Sequence, residues 1–137
     1  MLNKQIAVLT IRLILGFIFF FQGFGKVFKF GLDNVYKNFF QSSYGELLPD
    51  FLLLFSAYFT SLAEFIGGFL LVIGLKRDYA LYTLALVLVI VTFGHGLKEP
   101  IWDLSHVMYR TILLVSLLLL PKELDKFSVD FLIKKDK

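Results

Sequence analysis

No cysteine occurs in the 137 residues. Disulfides, thiol relays and thiolate metal sites are therefore excluded, and any redox chemistry must rest on a bound cofactor or a partner. Charge is also sparse. Charged residues make up 18% of the chain against 58% hydrophobic residues, and a mean hydropathy of +0.77 is too high for a soluble domain of this size. The net charge is only +3, and the basic residues flank apolar runs instead of forming a stripe with interleaved aromatics, so no nucleic-acid partner is expected. Nucleophile-elbow, phosphate-loop and zinc-protease motifs are missing, and the lone hydroxyls do not point to a hydrolase. Repeats, low-complexity segments and a second domain are absent as well.

What is present is a set of four apolar runs at roughly residues 5–28, 51–75, 79–97 and 103–120. Each is near the ~20 residues that cross about 30 Å of hydrocarbon at ~1.5 Å per residue. The expected fold is all-α: a transmembrane four-helix bundle over residues 1–121, with an outer loop at 29–50 and a basic amphipathic tail at 122–137. Lys4 before a long apolar stretch imitates a signal peptide, but Arg12 interrupts the stretch and no small-residue cleavage site follows, so the segment reads as a retained helix. Pro121 stops the fourth run.

Four crossings place both termini on one side of the membrane. Lys4, Arg12, Lys76, Arg77, Lys122, Lys126, Lys134, Lys135 and Lys137 fall on that side, and Lys26, Lys29, Lys37 and Lys98 on the other. Basic residues favour the cytoplasmic face, which predicts cytoplasmic termini in a multi-pass protein of the inner membrane, with the lipid bilayer as its first partner. Phe30, Tyr36, Phe39, Phe40 and Tyr44 suit a segment lying at the outer interface or folding back over the bundle, and a plain structured loop is equally compatible. Leu124, Phe127 and Phe131 recur at i, i+3 and i+7 among lysines, the pattern of a short helix on an anionic leaflet. A frayed charged tail is the alternative.

Glu64 is the only charge in the 25 residues from Phe51 to Leu75. A lone carboxylate near the bilayer midplane is costly, so it marks an internal polar site. Counted from the helix ends near residues 75 and 120, Glu64 and Arg110 both lie roughly 15 Å deep, which makes Arg110 the expected partner if their helices are adjacent. Arg12 is shallower; its side chain reaches either up to the same carboxylate or down to the interface. Arg12, Gly16, Gly23 and Lys26 share one narrow helical face, and Ala57, Thr60, Ser61, Glu64, Gly67 and Gly68 share another. Asp103, His106 and Arg110 align at i, i+3 and i+7, a polar track from outside towards Glu64.

Plainer readings compete with each of these. Glu64 and Arg110 can act only to fix helix register. Ala63, Gly16, Gly23, Gly67, Gly68 and Gly74 read as helix-packing residues, and Lys26 as an interfacial anchor. His95 and His106, with Glu99 and Asp103 between them, match no ligand motif; they read as hydrogen-bonding groups or proton carriers, and no metal site is assigned.

RLILGFIFFFQGFGKV and AEFIGGFLLVIGLKRDYA, carrying Arg12, Gly16, Gly23 and Lys26, then Glu64, Gly67, Gly68, Gly74 and Leu75, a basic turn and His95, resemble the DoxX-like family of small four-helix membrane proteins. The resemblance spans most of the chain. It implies a membrane four-helix bundle and a role near membrane redox systems, since the family takes its name from a subunit associated with a thiosulfate:quinone oxidoreductase and terminal oxidase. Quinone is the one cofactor implied. The expected function is an accessory or quinone-linked redox subunit, with Glu64, Arg110 and His95 or His106 handling protons. One alternative is a non-enzymatic assembly or export partner that binds a membrane or periplasmic protein through its small-residue helix faces. A small-solute transporter is more distant, because inverted repeats and broken helices are missing.

Overall fold

Apolar residues recurring every three or four positions build four long helices in the computed structural model, which describes residues 2–99 and 105–136 apart from the side chains of Ser43 and His106. These are α1 (Leu2–Phe24), α2 (Asp50–Ile73), α3 (Arg77–Lys98) and α4 (Ser105–Leu119), followed by a short α5 (Val129–Lys135) in the tail. Among the described residues there is no strand. The helix of α1 runs on through a wide π-type turn, Gly25–Phe30, so that Leu2–Phe30, α2 and α3 are each long and apolar enough to cross a membrane. The apolar part of α4, Val107–Leu119, is shorter, and residues 103–104 of the expected fourth run lie outside the described residues.

The helices form a ring in which α1 packs on α2, α2 on α3, α3 on α4 and α4 on α1. The α1–α2 crossing is the most intimate, and glycine makes it so. A Cβ on Gly23 would sit 2.2 Å from the Phe65 nitrogen, and one on Gly68 would sit 2.3 Å from that of Phe20. The two backbones touch there, gaining dispersion contacts that lipid cannot supply. Beside this seam Phe20, Phe24, Phe28 and Phe65 stack with centroids 5.1–6.4 Å apart. Gly67 instead faces Leu84 of α3. The apolar core joins Val8, Leu15 and Phe19 of α1, Leu71 of α2, Leu81, Leu84 and Leu88 of α3, and Leu114 and Leu117 of α4. Large apolar side chains such as Phe21, Phe51, Val89 and Leu119 face outward, as a lipid-solvated surface requires.

Gly74 does more than pack. It closes α2 in the left-handed conformation (φ 74°), with its N–H donating to Leu70 O and the Leu75 N–H to the same carbonyl at 2.9 Å. The outer segment, helical over Leu32–Val35, Tyr36–Gln41 and Ser42–Tyr44, folds back over α2, with Val35 buried, Tyr36 donating to Asp50 and Tyr58 of α2 to Asp33.

The tail is not frayed but docks on the bundle. Asp125 is buried between Arg12 and Arg77, and Asp130 accepts from the Lys76 and Arg77 N–H groups at 2.8 and 3.0 Å, capping α3 from a distance of more than fifty residues. Ser128 caps α5 through the Phe131 N–H.

Candidate functional site

A cavity of about 740 Å³ opens in the half of the bundle covered by the outer segment. Its polar floor is Glu64, whose side chain is 1% exposed. α2 brings Glu64 and Thr60 to the cavity because both lie on its buried face. Lys26, from the wide turn after α1, reaches back and donates to both carboxylate oxygens at 3.0 and 3.2 Å. With the Gly23 backbone against Phe65, Lys26 lies about one turn further out, within reach of Glu64 for a four-carbon stem. The interfacial-anchor reading of Lys26 is therefore corrected. A buried carboxylate outweighs the interface in attracting the ammonium, and the extended turn keeps Lys26 on the bundle side.

Arg110 lines the same cavity but is not the close partner of Glu64 that depth arithmetic proposed. α4 and α2 stand across the ring from one another, so equal depth does not bring the two groups into contact. Arg110 donates to Gln22 Oε1 at 2.8 Å and lies over the Phe19 ring at 5.4 Å, while its charge still acts on Glu64 across the cavity.

Arg12 is placed elsewhere. It is buried at the other end of the bundle, donating to Asp125 Oδ1 at 3.1 Å and to the carbonyls of Leu71, Val72 and Phe127 at 2.6–2.8 Å. Both expectations for it are corrected, because α1 carries it down to unpaired carbonyls at the α2 terminus and a buried acid on the tail. Arg77 joins from α3, donating to Asp125 Oδ2 at 3.5 Å and to the carbonyls of Leu117 and Leu120 that end α4. Sequence reasoning missed Asp125, Asp130 and the buried role of Arg77. The available signal was four acids, Glu123, Asp125, Asp130 and Asp136, in a tail otherwise rich in lysine.

His95, Lys98 and Glu99, at the end of α3, form the rim of the outer cavity. The side chain of His106 and all of Asp103 lie outside what the structure describes, so the expected polar track is not traced. Phe21, Phe30, Phe39, Phe40 and Tyr44 wall the cavity with aromatic surface. Burial, followed by the nearby Glu99 carboxylate, raises the Tyr44 hydroxyl above its ordinary value. Buried Ser61, one turn outward from Glu64, has no hydrogen-bond partner for its hydroxyl among the described residues. No three His, Cys, Asp or Glu residues among the described residues are grouped to hold a metal.

The arrangement can hold an apolar ring against aromatic walls and present a carboxylate and cationic donors to its oxygens. Residues 7–96 match the family model described as DoxX. That range includes Lys26, Glu64 and His95 and stops short of Arg110 and the tail. Among curated proteins and solved structures no match was found.

Proposed function

From the premise that the chain belongs to the DoxX family of membrane proteins, we propose that it is a quinone-linked, redox-associated subunit of a membrane complex whose outer cavity receives a quinone ring. One observation carries the reading: a buried carboxylate, paired with a half-buried ammonium, forms the floor of an aromatic-walled cavity of about 740 Å³ within membrane-spanning helices. That volume is in the usual range for small-molecule sites, roughly 300–1,000 Å³. A quinone, when bound, supplies two-electron, two-proton redox chemistry. The ammonium of Lys26 and the guanidinium of Arg110 orient ring oxygens by donating to them, and Glu64 holds or releases a proton at its carboxylate. Phe39, Phe40 and Tyr44 line the site and offer a ring apolar surface. With no cysteine in the chain, the electrons come from a partner subunit or an external donor. The basic residues on the terminus side support cytoplasmic termini in the inner membrane.

The assembly-partner reading relied on small-residue faces as docking surfaces. Gly16, Gly23, Gly67 and Gly68 are already occupied by contacts with α1, α2 and α3, so those faces are not free to dock anything else. Titration of the detergent-solubilised chain with a short-chain benzoquinone, followed by calorimetry, separates the readings. Saturable binding that weakens at least tenfold in Glu64→Gln or Lys26→Met, with helicity retained, is expected. Binding no stronger than detergent partitioning, or equal in the variants, overturns the proposal; a stoichiometric protein without quinone in native mass spectrometry favours the partner reading.

A further inference from the structure

At the end of the bundle where the tail docks lies a second cavity, of about 590 Å³, lined by Lys76, Arg77, Lys122, Lys134 and Lys135. We propose that it binds a phosphate group, presented as the headgroup of an anionic phospholipid. Most acids of the lining are already engaged. Of the four acids in the lining, Asp125 lies between Arg12 and Arg77, Asp78 pairs with Lys122, and Asp130 accepts from two backbone N–H groups. Glu123 is the only acid left over. Lys76, Lys134 and Lys135 share the lining with it, and none of the three makes an ion pair among the described residues. The lining carries five cationic side chains, Lys76, Arg77, Lys122, Lys134 and Lys135, against these four carboxylates, and the net charge of +1 suits a phosphodiester anion. Arg77, itself 3% exposed, also lines the cavity, and its Nε has no hydrogen-bond partner among the described residues. Asp130 already occupies the start of α3, so recognition falls to the side chains and not to the helix end.

Position selects a lipid as the source of the phosphate. The cavity lies level with the end of α2 at Ile73 and the start of α3 at Arg77, where headgroups meet spanning helices. Apolar side chains stand exposed beside it: Tyr79 at 72%, Leu132 at 57% and Phe127 at 53%. They give acyl chains a surface to lie on while the headgroup sits among the lysines.

The test is native mass spectrometry of the full chain in mild detergent, with phosphatidylglycerol or phosphatidylcholine of identical acyl chains added in turn. A saturable phosphatidylglycerol adduct, at least tenfold preferred over phosphatidylcholine and lost in the triple variant Lys76→Asn, Lys134→Gln, Lys135→Gln, is expected. These lysines are exposed, and asparagine tolerates the left-handed backbone at Lys76, so the variant should fold; circular dichroism checks this. Equal binding of the two lipids, or an unchanged adduct in the variant, overturns the proposal. Displacement by equimolar glycerol 3-phosphate retains phosphate recognition but overturns the lipid source.

Discussion

Replacing Asp125 with asparagine removes one negative charge from between two guanidinium groups while leaving an oxygen near Arg12 Nε. Arg12 and Arg77 have side chains only 1% and 3% exposed, so both cations are then buried without a carboxylate. Removing one partner of a buried pair costs about 3–5 kcal/mol. The asparagine variant belongs at the low end, because Arg12 keeps three backbone carbonyls and Arg77 keeps two. Alanine, which loses the acceptor too, belongs at the high end. The tail is the element held by this contact, so local release should precede global unfolding. A loss of about 3 kcal/mol raises the tail-open population roughly a hundredfold. Amide hydrogen exchange of the full chain in detergent reads this directly at the Asp130 N–H, bonded to Gly74 O at 2.9 Å, and at the Phe131 N–H. Exchange there should quicken about a hundredfold while α1 and α2 near Gly23 change little. A change below about threefold, under roughly 0.7 kcal/mol, would refute the reasoning and assign the docking to apolar contacts.

Three further outcomes are expected. Gly23→Ala forces a methyl to within 2.2 Å of the Phe65 nitrogen and should lower thermal stability by about 1–3 kcal/mol or more, whereas Gly25→Ala, with nothing within 4 Å, should be nearly neutral; equal effects would show that the α1–α2 seam is not tight. A double-mutant cycle of Lys26→Met and Glu64→Gln should give a coupling of roughly 1–3 kcal/mol, with the double variant milder than the sum of the singles, and strict additivity would show that the pair does not interact. Tyr44, identified by difference from Tyr44→Phe, should ionise above the usual tyrosine value of about 10, and Glu99→Gln should lower its midpoint. Because the folded-state value is raised, this hydroxyl's contribution to stability is complete below the unfolded tyrosine pKa and disappears as pH rises through the folded one. A midpoint indifferent to Glu99→Gln would remove the carboxylate as a cause.

Membrane-length apolar runs and the face shared by Thr60, Ser61, Glu64, Gly67 and Gly68 were legible in the chain, because a helix's buried stripe is a local periodicity. Glu64 declared itself as a polar site by being alone among apolar residues. Its partner was harder to read. The face of Arg12, Gly16, Gly23 and Lys26 already placed Lys26 towards the bundle, but depth favoured Arg110, and depth ignores which helices adjoin. Gly74 stood in a packing series and does pack closely, against Ser128 and Arg12, but its left-handed cap was not read.

By itself, then, the sequence determined the long helices, though not the helical turns of the outer segment, the membrane as their solvent, the glycine seam and the existence of an intramembrane acid, all of which follow from spacing along one helix and from the cost of burying charge. Only the tertiary structure decided the partners: Lys26 and not Arg110 at Glu64, and Arg12 and Arg77 around Asp125. The reason is that an ion pair forms between groups made neighbours by the order of helices around the ring, and that order is a property of the whole packing, absent from the periodicity of any one segment.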